Sequence, residues 1–376
     1  MKVLLIDQIA KINYKYTYPL ANGLVNYGAE VSLVIDQKQE DENCSCRKIR
    51  LFNTDEKNIG KLKKLVNYFE SYRQIVKIIK KEKFDILHTE WYTFSPIDYL
   101  FISMIKKHFG IRYVSTVHDI LPFNQKFYDM YFHKKLYNLA DSIILQAPSN
   151  IERFAKLFPE LKDKTTMVPH GNMLDYIEKC SCEEAREKLD LPKEKIIILF
   201  FGQIKKVKGV NILLRAFAKI KEKHPEVFLV IAGSVWKADF TECEDIIQAN
   251  DFADSLRTDV RYIPDEEVKF YYSAADITVL PYTEVYQSGV IQLAYGYGKP
   301  VVASALPAFT QFVIEGETGF IAEPGDVNSL ADALLRAVAK KDCLKEMGMK
   351  GNTLVRNKLD WNNLAKRIID ECYEVK

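Results

Sequence analysis

IIILFFGQIKKVKGVNILLRAF, residues 196–217, runs from an unbroken apolar stretch through a glycine, a lysine-rich loop and a second glycine into apolar residues at helical spacing. An apolar run with no polar alternation is how a strand reads when a parallel sheet is covered on both faces. Gly202 lets the backbone approach a ligand closely, and Lys205, Lys206 and Lys208 supply positive charge. The helix that follows Gly209 presents free N–H groups and the positive end of its dipole. Strand, cationic loop and helix in that order hold a phosphate or diphosphate; the same residues also suit an ordinary solvated basic loop. The segment is neither a GxxxxGK[ST] loop nor a GxGxxG turn.

A second segment of the same kind lies downstream. In LPYTEVYQSGVIQLAYGYGKPVVAS, 280–304, Leu280-Pro281 ends a strand and Ser288-Gly289 opens a helix that reaches about Tyr297. Gly298-Lys299-Pro300 closes that helix, and Val301-Val302 starts another strand. The Ser288 hydroxyl and the first helical N–H groups, at Gly289 and Val290, form a second anion site. Two anion sites, one rich in lysine, point to a nucleoside diphosphate.

The rest of the chain repeats the strand–helix alternation. Strands are expected at 2–6, 31–35, 85–88, 113–117, 142–146 and 166–168, then at 196–201, 227–232, 260–263, 276–280 and 300–303. The clearest helix spans 59–81, with Ile59, Leu62, Val66, Phe69, Val76 and Ile79 on one face. Two such sets predict two doubly wound α/β domains, joined across the polar stretch 172–195, with ligands beyond the carboxyl ends of the strands and in the cleft between the domains. A chain of 376 residues is long enough for both.

Residues 1–172 hold 26 basic and 19 acidic side chains, and the remainder 27 and 32, so the N-terminal half is the basic one. That asymmetry fits an anionic partner, and equally fits ordinary scatter. No apolar run approaches a membrane span, the N-terminus lacks the pattern of a secretory signal, and seven cysteines suit a reduced, cytoplasmic protein. The pairs Cys44-x-Cys46 and Cys180-x-Cys182 are too closely spaced for zinc. No basic–aromatic motif of a nucleic-acid reader is present.

FFGQIKKVKGVNILLRAF, VFLVIAGS, VRYIPDEEVKFYYSAADITVLPY, SGVIQLAYGYGKPVVAS and EGETGFIAEPGDVNSLADALLRAV occur in the order and spacing of glycosyltransferase family 4, which they resemble over 196–338. VHD (117–119) and PHGN (169–172) extend the resemblance over 1–172. It implies the GT-B architecture, two Rossmann-like domains whose parallel sheets face an interdomain cleft. It also implies retaining transfer from a nucleotide sugar, as in bacterial surface-polysaccharide assembly. The domains are then 1–171 and 172–359, with a C-terminal segment, 360–376, that crosses back onto the first.

Residue by residue, Lys208 matches the family's phosphate-binding lysine. Gln203 stands where the family usually has arginine, and Lys205 replaces some of that charge. The family's Glu-x7-Glu positions fall on Val285 and Leu293. Glu284 and Gln292 keep the spacing one residue earlier, about 100° round a helix. Glu284 then either touches the donor sugar or is a solvated surface acid. The base pocket is expected around Tyr262, Ile263 and Pro264. On the first domain, His118 is expected beside the transferred sugar, with Asp119, His170 and His88 as further cleft candidates. Tyr14 and Tyr16, in a loop over 10–19, either stack on acceptor sugars or pack internally. The implied catalytic set is His118, Lys208 and Glu284, with no metal and no cofactor besides the UDP- or GDP-linked donor.

Residues 57–83 carry nine Lys or Arg, and FYDMYFHKKLY (127–137) is strongly aromatic. Together they suit an anionic membrane face and a lipid-linked glycan acceptor at the inner face of the cell membrane. Alternatively the helix packs its Ile, Leu and Phe face on the sheet and solvates its lysines. A catalytically inactive sugar-nucleotide-binding subunit of the same fold is the competing functional class.

Overall fold

A computed structural model describes residues 1–37, 44–53, 60–122, 125–236, 240–252, 254–285 and 289–374, the side chains of residues 11, 12 and 61 excepted. The chain forms two units, Met1–Gly171 with Leu359–Lys376, and Asn172–Lys358.

In the first unit, strands β1 (Lys2–Ile6), β2 (Glu30–Asp36), β3 (Arg47–Phe52), β4 (Ile86–Thr89), β5 (Arg112–Thr116), β6 (Ser142–Leu145) and β7 (Thr165–Met167) make one sheet in the order β3-β2-β1-β4-β5-β6-β7. Every pairing is parallel, with Ile6 opposite Thr89. Helices α1 (Ala10–Asn26), α2 (Lys61–Glu82), α3 (Ser95–Phe109), α4 (Asp129–Leu139) and α5 (Pro148–Leu157) lie between the strands. The central strand β1 is apolar from Val3 to Ile6 because both its faces are covered; Val3, Leu4, Leu5 and Ile6 are all fully buried.

The second unit repeats the plan with β8 (Ile196–Phe201), β9 (Val227–Ala232), β10 (Leu256–Asp259), β11 (Ile277–Leu280), β12 (Val301–Ser304) and β13 (Gly319–Ala322), ordered β10-β9-β8-β11-β12-β13 and again all parallel. Its helices are α6 (Cys182–Lys188), α7 (Val210–Lys221), α8 (Thr241–Ala249), α9 (Asp265–Ala274), α10 (Gly289–Gly296), α11 (Pro307–Thr310), α12 (Val327–Ala339) and α13 (Leu344–Lys358). The last helix, α14 (Trp361–Ile368), belongs to the first unit. It packs on α1, where a Cβ at Gly23 would stand 2.7 Å from the Trp361 carbonyl oxygen. Its continuation buries Cys372 and Tyr373, and the Tyr373 hydroxyl lies 2.6 Å from His88 Nδ1.

Three expectations need correction. The strand expected at 260–263 is β10, four residues earlier, and residues 261–263 form the turn into α9. Residues 10–19 are helical rather than a loop, because Tyr16, Tyr18, Leu20, Ala21 and Leu24 bury one face even with Pro19 inside the helix. On α2 the core face is Tyr68, Tyr72, Ile75 and Ile79, whereas Leu62, Val66 and Phe69 are exposed at 76%, 59% and 41%. The four buried positions follow the i, i+4, i+7, i+11 spacing of one helix face. Ile59 lies outside the described residues.

Candidate functional site

In each sheet the strand order reverses once, between β1 and β4 and between β8 and β11. Open parallel sheets bind ligands at such switch points, beyond the strands' carboxyl ends.

At the second-unit switch point, the chain leaving β8 meets the chain leaving β11. The loop 202–209 is fastened to 281–283: Thr283 N–H donates to the Val207 carbonyl at 2.9 Å. A Cβ at Gly209 would stand 2.0 Å from the Pro281 carbonyl oxygen, and Gly209 has φ +66. Only glycine allows both that contact and that backbone. The result places Lys208 Nζ 3.6 Å from the centre of the buried Tyr282 ring. Lys205 Nζ lies 5.7 Å from the Trp236 ring centre. Among the described residues neither lysine has a carboxylate partner. Burial, and then the charge of Lys205, lower the Lys208 ammonium to about 8. A cation desolvated and left without an anion is poised to take one. Tyr282, which holds this lysine, was not among the expected residues; its signal was an aromatic just past the end of an apolar strand.

Helix α10 starts against the end of β8, since Val290 Cγ2 lies 3.9 Å from a Cβ built on Gly202, whose φ is +127. Gly289 is exposed, and Gln292 is half-buried with a side-chain oxygen that has no partner among the described residues. Ser288 lies outside the described residues. Gln203 and Glu284 are both exposed on this unit. Tyr262 is 71% exposed and Ile263 buried, while Pro264 caps α9.

At the first-unit switch point two carboxyls stand side by side, Asp7 just after β1 and Glu90 just after β4, both buried. Thr17 Oγ1 lies 2.5 Å from Asp7 Oδ2 and 2.8 Å from Glu90 Oε2. Asn13 Nδ2 donates to Glu90 Oε2 at 2.7 Å and to Asp7 Oδ2 at 3.2 Å. Burial, then repulsion by Glu90, push Asp7 up to about 7. Burial pushes Glu90 up to about 8. His118 Nε2 is 3.7 Å from Glu90 Oε2, and its ring stacks on Trp91 at 4.7 Å and 10°. Burial holds the His118 imidazole neutral, down to about 4. A cavity of about 90 Å³ is lined by Glu90, Trp91, Thr116, His118 and Asp119, among others. Its carboxyls carried a signal that went unread, an acid immediately after each of two apolar strands.

The expected first-unit residues divide. Tyr16 is 2% exposed and packs edge-on against His118, His170 and Trp361 at 4.7, 4.9 and 5.0 Å, so it braces two histidines instead of presenting a stacking face. Tyr14 is half-buried and packs on Tyr18. His170 is held by the Gly171 carbonyl at 2.7 Å and kept neutral by burial. Asp119 is exposed beside the cavity. His88 is fully buried within β4, with Tyr373 and Thr116 hydroxyls on its two nitrogens, so nothing outside the core reaches it.

Two family profiles match the chain. Residues 15–175 match Glycosyltransferase Family 4, and residues 181–353 match Glycosyl transferases group 1. The chain is 27% identical over 214 residues to the lipopolysaccharide 1,2-N-acetylglucosaminetransferase of Salmonella typhimurium, a match that spans 55% of each protein. It is 22% identical to the D-inositol 3-phosphate glycosyltransferase of Streptosporangium roseum, over 94% of this chain and 86% of that one. Among solved structures it resembles sucrose-phosphate synthase from Thermosynechococcus elongatus, with a TM-score of 0.64 at 23% identity and 98% coverage of both chains. It also resembles Anabaena HepE in complex with UDP, with a TM-score of 0.65 at 15% identity, covering 98% of this chain and 99% of that one.

Proposed function

The chain belongs to glycosyltransferase family 4, of the GT-B type, and from that premise we propose that it moves a hexosyl group, with retention, from a nucleoside-diphosphate sugar to a glycan acceptor. The observation that carries this reading is Lys208, desolvated over Tyr282 at the second-unit switch point and without a carboxylate partner among the described residues. Lys205, Lys208 and the first N–H groups of α10 stabilise the departing diphosphate, the electrostatic task that dominates such reactions. Because these groups supply the positive charge, we expect the reaction to run without a metal ion. His118 on the first unit serves the sugar end.

The test is calorimetric titration of the protein with UDP and with GDP. UDP comes first because the HepE neighbour was solved with it. One of the two should bind at micromolar concentration. Lys208→Ala should weaken that binding roughly tenfold to a hundredfold, the range for a charge-assisted hydrogen bond. Binding of neither nucleotide would overturn the reading.

We further propose a lipid-linked acceptor met at an anionic membrane surface. The support is the outward strip Leu62, Leu65, Val66 and Phe69 on the lysine-rich α2, together with Leu100 on α3 and Phe127 (98% exposed), Met130 and Tyr131 at α4. These helices pack in succession, α2 on α3 and α3 on α4, and basic residues flank the strip. Among the described residues no helix is long and apolar enough to cross a membrane. Sedimentation with anionic vesicles should exceed that with neutral ones and fall with Phe127→Ser plus Leu62→Ser. Equal sedimentation with both vesicle types would rule the surface out.

A further inference from the structure

Cys44, Ser45 and Cys46 lead into β3, and their burial alternates: half-buried, exposed, half-buried. Alternate residues of an extended chain share a face, so the two cysteines turn to the same side. Both side chains pack there against the core cluster that α1, the first-unit sheet and α14 build together. The residue between them is fixed from α1. Asn22 Oδ1 accepts the Ser45 N–H at 2.8 Å and the Ser45 hydroxyl at 2.9 Å. Arg47, next in the chain, is already in register with Ser32 of β2. The result puts Cys44 Sγ and Cys46 Sγ 2.8 Å apart, with both thiols free. The sulfurs of a disulfide lie about 2.05 Å apart, so the remaining approach is under about 1 Å.

Spacing alone does not produce this. In Cys180-x-Cys182, Cys180 Sγ lies 4.0 Å from the Lys269 carbonyl and Cys182 enters α6. Nor are the two sulfurs of the first pair equivalent. The hydrogen bond from the Cys46 thiol, with a smaller contribution from the charge of Lys48, lowers Cys44 to about 7, and the same bond raises Cys46. Cys44 is then the thiolate and Cys46 the protonated thiol beside it. A thiolate in contact with a second, protonated thiol is the pair that thiol–disulfide exchange requires.

We propose that Cys44 and Cys46 form a redox-active dithiol that exchanges with low-molecular-weight disulfides, with Cys44 attacking and Cys46 resolving. The Cys44 thiolate attacks one sulfur of the small disulfide, forms a mixed disulfide and expels a thiolate. That thiolate takes the Cys46 proton. Cys46 then attacks Cys44 Sγ, closes the Cys44–Cys46 bond and expels the second small thiolate. Two cysteines are oxidised, and one small disulfide is reduced to a thiol and a thiolate. The couple is reduced at rest and oxidised when the pool of small disulfides rises, the transient use that disulfides find inside cells. It is independent of the glycosyltransferase reading.

The test uses the full chain, reduced and then freed of reductant, in a series of buffers of rising oxidised-to-reduced glutathione ratio. Samples are quenched in acid, free thiols are counted, and the linkage is located by peptide mass mapping. The parent should lose two of its seven thiols in a single transition, with the new bond between Cys44 and Cys46. A brief pulse of iodoacetamide on the reduced parent near neutral pH should label Cys44 several-fold faster than Cys46, since the thiolate is the nucleophile. Cys46→Ser keeps a donor to Cys44 but cannot resolve, so it should hold glutathione on Cys44 as a lasting adduct. Cys180→Ser with Cys182→Ser should leave the loss of two thiols unchanged. A parent that keeps all seven thiols across the series overturns the proposal, and so does a bond formed between other cysteines. Equal or reversed labelling in the pulse also overturns it, as does a Cys46→Ser protein that takes up no glutathione at Cys44. The first three readouts come from the parent protein, so they stand whether or not the variants fold.

Discussion

Lys208 shows how a single side chain is prepared for its partner. Its ammonium is held at about 8 by burial and by Lys205, well below the usual lysine value. A bound diphosphate stabilises the charged form and raises that value again. The sign follows: near pH 8 and above, binding takes up a proton, and at pH 6 it does not, because the lysine is already charged. Nucleotide affinity should therefore fall as pH rises from 8 toward 10. Titration at pH 8 in two buffers of different ionisation enthalpy should give different apparent heats, and a difference of zero would detach Lys208 from the ligand. Gln203 and Glu284, by contrast, are both exposed.

At the scale of elements, the phosphate loop depends on two segments far apart in sequence that touch backbone to backbone. Gly209→Ala would drive a methyl group into the Pro281 carbonyl and force a left-handed residue to carry a Cβ. A loss of about 2 kcal/mol or more is expected, read as a lower midpoint in denaturant, together with weakened nucleotide binding. The elements also show why parts of the fold were legible. Buried strands such as IIILFF and VFLVIA declare themselves because both faces need apolar side chains. The strands that were missed or misplaced, RKIRLF, LRTD and GFIA, all lie at sheet edges, where half the side chains need not be apolar. On α2 the tyrosines, not the leucines, face the core. Tyr68 and Tyr72 bring hydroxyls that Asp98 accepts at 2.5 and 2.7 Å, an internal partner that apolar periodicity does not register. The second-unit site was readable because glycine and lysine follow a strand in one short segment. The first-unit cluster joins residues 7, 17 and 90, which only the sheet order brings together.

For the whole molecule, buried ionisable groups set a window of stability in pH. Asp7 and Glu90 have folded values raised above those of the unfolded chain. Their contribution is complete below about 4 and is lost as pH rises through about 7 and 8. His118 and His170 have folded values lowered to about 4, so their contribution is complete above about 6.5 and is lost as pH falls through 4. Thermal melting should peak between these limbs, and Glu90→Gln should flatten the alkaline limb while leaving the acid limb in place. A Glu90→Gln profile that parallels the parent at high pH would contradict the assignment. The return of α14 to the first unit adds a constraint in time. A ribosome delivers residues 1–171 before 172–358 and those before 359–374, so the second unit is complete while the first still lacks α14. Until residues 359–374 emerge, Ala21 and Leu24 stand without the neighbours they have in the finished core, and His88 waits for the tyrosine hydroxyl that pairs its ring. The nascent first unit therefore stays open while the whole of the second is made, an interval in which a chaperone would find its binding surface.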